Sequence, residues 1–226
     1  MYPMKLKPVY DKTIWANDRL TTMRGMEEKG LGTCWEISAH PHAKNVILNG
    51  EYAGKTLDEL IQADPQSILG ETQLHQMLRL AYLDAREDLS IQVHPGDELA
   101  RKRHNSFGKN DMWYVVSADK GAKLISGFSE LITPKEYKER VYNGTFAEVL
   151  QTCDVKPGDV FYVPAGRVHG IGAGAFVAEI QQTSDITYRI FDYNRKDKEG
   201  KSRELHTTQA TEAINFADVQ DDFRTE

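Results

Sequence analysis

Seven short runs, most with turn-forming residues at their ends, constrain this chain more than anything else in it. They are CWEIS (34–38), DLSIQVH (88–94), MWYVV (112–116), AKLISG (122–127), DVFYVP (159–164), AFVAEIQQ (175–182) and ITYRIF (186–191). Runs of this length, rich in β-branched and aromatic residues, read as strands. Helix signals are few by contrast. TLDEL (56–60) carries Thr56 and Glu59 in a capping box. TPKEYKERVYNG repeats that device with Thr133, Pro134 and Glu136, and stops at Gly144. TFAEVL (145–150) is a shorter case, and a last helix is expected from about Thr207. Many strands with helices pushed aside favour a sandwich or small barrel over a parallel α/β sheet. The predicted fold class is all-β with helical insertions, and SADKGA (117–122) is expected to be a hairpin turn.

At 226 residues the chain is long enough to bury a sizeable core. A net charge of −6 argues against a general nucleic-acid surface, so an anionic ligand needs local positive charge. No run approaches the ~18 apolar residues of a membrane span. The start, MYPMKLKPVYDK, lacks the apolar centre of a secretory signal. Cys34 and Cys153 are the only cysteines and lack metal-type spacing, which fits reduced thiols and a cytoplasmic location. Monomer and homodimer remain equally open.

Two stretches carry candidate chemistry. In LSIQVHP, alternation puts Ser90, Gln92 and His94 on one face of a strand and Leu89, Ile91 and Val93 on the other. Three polar groups in a row must meet water, each other or a ligand. In KPGDVFYVPAGRVHGIG, Gly158, Pro164, Gly166 and His169 give G-x5-P-x-G-x2-H, a strand, a fixed turn and a delivered imidazole. That spacing resembles the second motif of the cupin superfamily, whose β-barrels (the jelly-roll, or double-stranded β-helix) hold a metal through histidines. Gln92 and His94 lie two apart, and Asp111 opens the run MWYVV. Two imidazoles, a carboxylate and an amide oxygen make an open zinc-type site, and iron or manganese also suits these donors.

DAREDLSIQVHP, FGKNDMWYVV, PAGRVHGIGAG, AEIQQTSDITYRIFDYNR and RELH together resemble the short bacterial kind of type I mannose-6-phosphate isomerase, and GTCWEIS and GKTLDEL extend the similarity toward the N-terminus. The resemblance runs from about Ile14 to Phe216. It implies an aldose–ketose isomerase acting on a sugar phosphate, with one zinc ion held by Gln92, His94, Asp111 and His169. It also places Lys109, Asp185 and Arg189 in catalysis, Arg189 facing the reacting carbons, and Ser90 against the substrate. Residues 1–206 are expected to form the cupin-type domain, with N-terminal strands and a helical insertion near 133–152. Residues 207–226 are expected to form a helical tail, without the C-terminal β-domain usual in the family.

Two residues depart from the family pattern. Asp111 stands where glutamate is usual, and Ala81 where a lysine is usual; Arg79, two residues earlier, is the expected replacement charge for substrate binding. These departures motivate a second reading, a non-catalytic metal-holding cupin that binds a sugar phosphate as a sensor.

Other signals are read as structural. GIGAGA (170–175) fits G-x-G-x-x-A, but a strand pattern follows it where a dinucleotide site needs a helix. The histidines of HPH (40–42) are expected in a loop at the edge of the site, and RKRH (101–104) in a solvated basic loop. His75 and His206 are assigned to structure or surface, and Trp35 and Trp113 to barrel packing.

Overall fold

A computed structural model describes residues 2–220 and 222–225. In chain order the strands are β1 (Leu6–Lys7), β2 (Val9–Lys12), β3 (Leu31–Ile37), β4 (Ala39–His40), β5 (Ala43–Lys44), β6 (Val46–Ile47), β7 (Arg79–Asp84), β8 (Ile91–Val93), β9 (Asp111–Ala118), β10 (Lys123–Phe128), β11 (Leu150–Asp154), β12 (Val160–Val163), β13 (His169–Ile171), β14 (Ala175–Gln181) and β15 (Tyr188–Phe191). The helices are α1 (Arg19–Met23), α2 (Leu57–Ala63), α3 (Pro65–Leu69), α4 (Asp97–His104), α5 (Pro134–Asn143) and α6 (Thr207–Ala213). A six-stranded sheet has the order β12-β9-β14-β7-β3-β2, and a five-stranded sheet the order β11-β10-β13-β8-β15. All their pairings are antiparallel. β4 and β5 form a small hairpin whose turn carries Pro41 and His42.

Strand alternation distributes the side chains into layers. Leu83, Trp113, Val115, Leu124, Phe161 and Val177 come together from both sheets in one core cluster. Ile91 and Val93 belong to a separate cluster, with Phe128 and Ile190, to which Tyr137 of α5 and Ala210 of α6 contribute. The C-terminal segment also packs inward: Phe223 is buried in the first cluster, and Arg167 lies 4.3 Å over its ring while gripping both oxygens of Asp218.

The capping signals act as expected. Thr56 and Glu59 close a box on α2, Thr133 and Glu136 close one on α5, and Gly144 ends α5 in the left-handed conformation. Two local expectations fail. SADKGA does not join paired strands: it carries the chain from β9 in one sheet to β10 in the other, turning through Gly121 at φ +83°. Short-range turn chemistry is the same for a hairpin and for a corner between sheets, so only pairing distinguishes them. RKRH is not a loop but the last turn of α4, where its positive charge complements the helix dipole. Arg103 there pairs with Glu212, and His104 Nε2 lies 2.7 Å from the Tyr188 hydroxyl.

GIGAGA spans β13, a turn and the start of β14, with no helix following. A side chain at Gly172 would overlap the Lys123 carbonyl oxygen, so this glycine serves a close backbone approach. No helix among the described residues is long and apolar enough to cross a membrane.

Candidate metal centre and active site

The heavy punctuation before His169 has a geometric purpose. Gly166 turns at φ +90°, donates its N–H to the His94 carbonyl (2.9 Å), and accepts from the Asn215 N–H (2.8 Å). That turn ties the end of β8 to the start of β13. His169 then sits directly opposite Gln92 in the sheet, Gln92 opposite Arg189 of β15, and Ser126 opposite His169 on the other side. One transverse row of the five-stranded sheet thus reads Ser126, His169, Gln92, Arg189. The six-stranded sheet supplies Asp111 at the head of β9, in register with Gln181 and, beyond it, Arg79.

These residues converge. Ligand atoms of His94, Asp111 and His169 all lie within 4.8 Å of one another, and all three residues are buried. His94 Nδ1 lies 2.8 Å from the Ile186 carbonyl and His169 Nδ1 2.9 Å from the Arg167 carbonyl. Each Nδ1–H therefore donates to main chain, which leaves each Nε2 unprotonated with a lone pair for a metal, that of His94 lying 3.3 Å from Lys109 Nζ. Gln92 Nε2 is 3.4 Å from His169 Nε2, and a half-turn of the amide presents its oxygen to the same point. Ser90 Oγ, 3.1 Å from Gln92 Oε1, serves either orientation because a hydroxyl both donates and accepts. Asp111 Oδ2 lies 3.2 Å from His94 Nε2, buried and without a hydrogen-bond partner. An orphaned buried carboxylate oxygen facing unprotonated imidazole nitrogens is what a divalent cation would satisfy, so the donor set fits a mononuclear metal.

The electrostatics agree. Burial pushes the Asp111 carboxyl up, but the Lys109 ammonium in contact with it, aided by His94, holds it well below the usual carboxylate range. Burial and then His94 push His169 down to about 3, keeping it neutral as a ligand must be.

Beside this centre opens a pocket of about 460 Å³, lined by all three tryptophans of the chain, Trp15, Trp35 and Trp113. Ser90, Lys109, Asp185 and Arg189 line it too. Arg189 reaches Ser90 Oγ through Nε (3.3 Å) and the Glu204 carbonyl through Nη1 (3.0 Å). The Asp185 carboxylate is gripped by Arg79 Nη1 (2.7 Å) and touches His40 Nδ1 (3.0 Å). Arg79 itself departs from expectation. It is not part of the pocket lining; its buried side chain stacks 4.7 Å over Trp35 and donates to Gln181 Oε1 (2.9 Å). Packed against Trp35 and Gln181 and paired with Asp185, it is placed to brace that carboxylate.

Glu179 escaped the sequence reading. It lines the pocket from β14, with Oε1 accepting from Trp113 Nε1 (2.8 Å) and Oε2 from Gln181 Nε2. Burial, opposed by Lys109, pushes its carboxyl up. The signal was available: in AFVAEIQQ the face carrying Ala175 and Val177 also carries Glu179, a lone carboxylate on an inward stripe. The HPH histidines do lie at the edge of the site, on the β4–β5 hairpin, where His42 Nε2 meets Asp11 Oδ2 at 2.9 Å. His75 stacks on Phe107, and His206 Nδ1 accepts from the Arg189 N–H.

A two-sheet fold of this topology, with imidazole, amide and carboxylate donors meeting at one inner point, defines a cupin with a candidate mononuclear metal centre. The family model for the catalytic domain of type I phosphomannose isomerase matches residues 4–122. Mannose-6-phosphate isomerase ManA of Bacillus subtilis (strain 168) is 40% identical over 220 residues, spanning 96% of this chain and 69% of that protein. The crystal structure of the mannose 6-phosphate isomerase from Bacillus subtilis superposes with a TM-score of 0.92 at 36% identity, covering 97% of this chain and 70% of that one. A zinc-bound mannose 6-phosphate isomerase, at 14% identity and a TM-score of 0.70, shares the fold. The chain belongs to the type I phosphomannose isomerase family.

Proposed function

We propose that the chain is a zinc-dependent isomerase interconverting mannose 6-phosphate and fructose 6-phosphate. The observation that carries this reading is the convergence of two unprotonated Nε2 atoms and the orphaned Asp111 Oδ2 beside a pocket with both cationic and anionic walls. Gln92, His94, Asp111 and His169 would hold the ion. Bound there, it supplies Lewis-acid polarisation to a substrate oxygen.

The reaction moves a proton from C2 of the open-chain aldose to C1 through an enediol. Asp185, facing the pocket, is the group assigned to take and return that carbon-bound proton. Arg189 and Lys109 stabilise the oxyanion charge that develops on the enediolate. Ser90, held between Gln92 and Arg189, positions both groups for the sugar. Arg79 acts through Asp185.

A coupled assay that follows fructose 6-phosphate from mannose 6-phosphate, before and after chelation, tests the proposal. Turnover that disappears with chelator and returns with zinc is expected. Full zinc occupancy without turnover would overturn the isomerase and leave a metal-holding cupin that binds a sugar phosphate.

A further inference from the structure

The HPH motif brings two imidazoles to the edge of the pocket, and one of them has an unusual set of neighbours. His40 Nδ1 lies 3.0 Å from Asp185 Oδ2, an acceptor, and 3.2 Å from the backbone N–H of His42, a donor. One nitrogen cannot engage both in the same state. With a proton on Nδ1 it donates to the Asp185 carboxylate; without one it accepts from the His42 amide, or from Asp185 when the carboxyl is protonated. Nδ1 itself therefore finds a partner in either state, and the His42 N–H that it releases on protonation belongs to an exposed residue open to water. A purely structural histidine needs only one of these states.

The surroundings restrict where that proton travels. Arg79 Nη1 holds Asp185 Oδ1 at 2.7 Å, so Oδ2 is the oxygen left to exchange. Arg79 cannot take the proton, because a guanidinium does not deprotonate in proteins. The Asp185 loop is fixed on both sides: Ser184 Oγ donates to the Phe107 carbonyl (2.8 Å), and the Ile186 carbonyl receives His94 Nδ1. The Asp185 side chain is 41% exposed but lines the pocket, so a bound sugar covers it, whereas the His40 side chain, 22% exposed and outside the pocket lining, keeps its own route to water. Burial, offset by Asp185 and reinforced by Arg79 and His42, lowers its pKa, so the resting ring is neutral.

Resting on Asp185 as the group that moves the carbon-bound proton, we infer that His40 is its proton-relay partner, exchanging that proton with solvent while Arg79 fixes the carboxylate. The C2 proton passes to Oδ2, giving a carboxylic acid and the enediolate. The O–H proton passes to His40 Nδ1, which restores the carboxylate and makes an imidazolium. The imidazolium releases its Nε2 proton to water. The reverse sequence returns a solvent proton to Oδ2 and then to C1 while the O2 hydroxyl proton passes to O1, so protons and charge balance with water as the only co-reactant. His40 is a positioning and relay residue acting through Asp185.

The test runs the zinc-loaded protein in D2O with mannose 6-phosphate and measures deuterium at C1 of fructose 6-phosphate by NMR, with kcat and KM. Asparagine places an N–H near Nδ1 and keeps the bond to Asp185, but it cannot relay. His40→Asn is expected to keep KM within about twofold, to lower kcat by about tenfold, and to lose most solvent deuterium from the product. Deuterium incorporation equal to that of the unaltered protein would overturn the relay. Should His40→Asn melt at a lower temperature, His40→Gln supplies the same readout, and equal incorporation there is equally fatal. Asp185→Asn separates the two levels: normal turnover in that variant overturns the role of Asp185 itself, whereas a dead Asp185→Asn beside a normally exchanging His40→Asn overturns the relay alone.

Discussion

The two walls of the site are built on different principles. On the five-stranded sheet, His169 and Gln92 lie in one row, His94 follows at the strand end, and both rings are aimed by main-chain carbonyls. On the six-stranded sheet, Asp111, Glu179 and Arg79 come from adjacent strands and are paired with other side chains, Lys109, Trp113 and Gln181, with Asp111 Oδ2 left without a hydrogen-bond partner. Asp111 and Ala81, the two positions at which the resemblance predicts other residues, both lie on the second wall. Backbone-aimed groups have one geometry available, while side-chain-paired charges can be exchanged as sets. The first wall is the fixed half of the site and the second is the adjustable half.

The largest effect tests the fixed wall. His169→Ala or His94→Ala is expected to abolish metal retention and to reduce turnover by roughly 10³-fold or more, read by metal analysis and the coupled assay. Unchanged metal content in both would break the comparison at its root. Next, Asp185→Asn is expected to lower kcat by about 10²–10⁴-fold with metal content unchanged.

Adjustability is tested at Asp111. Asp111→Glu is expected to keep metal and retain turnover within about tenfold, whereas Asp111→Asn loses metal affinity by about 10²-fold in a chelator competition. Equal damage from both would make the second wall as rigid as the first.

A smaller effect concerns acid. His169 is held near 3 when folded, below the ordinary histidine value of about 6.5, so the unfolded chain binds the extra proton. Stability of the chelated protein therefore falls as pH drops from about 6.5 toward 3, on the order of 1 kcal/mol per pH unit. Thermal melts across that window check it, and His169→Gln is expected to flatten the dependence. The smallest effect is at the surface: Arg103→Ala, which breaks the exposed pair with Glu212, is expected to cost under about 1 kcal/mol and leave KM unchanged. A raised KM would give RKRH a part in attracting the substrate.

The same contrast explains what could be read without coordinates. Gln92, His94 and His169 announce themselves locally, because alternation in LSIQVHP and the Pro/Gly frame before His169 each fit within a dozen residues. The strands themselves were visible in their β-branched runs, and α2 and α5 in their capping boxes. Arg79 was not legible as what it is, and Glu179 showed only as a carboxylate on an inward stripe, since their roles depend on pairings with residues far along the chain or on burial across three strands. The SADKGA corner failed for the same reason. Local chemistry specifies that a chain turns; only the sheets specify which partner it meets afterwards.

One further property follows from where the indoles lie. With Trp15, Trp35 and Trp113 all walling a single cavity, the chain has no distant tryptophan to dilute the indole signal. Its ultraviolet emission is a built-in reporter of cavity occupancy, and a titration with ligand or metal needs no attached dye.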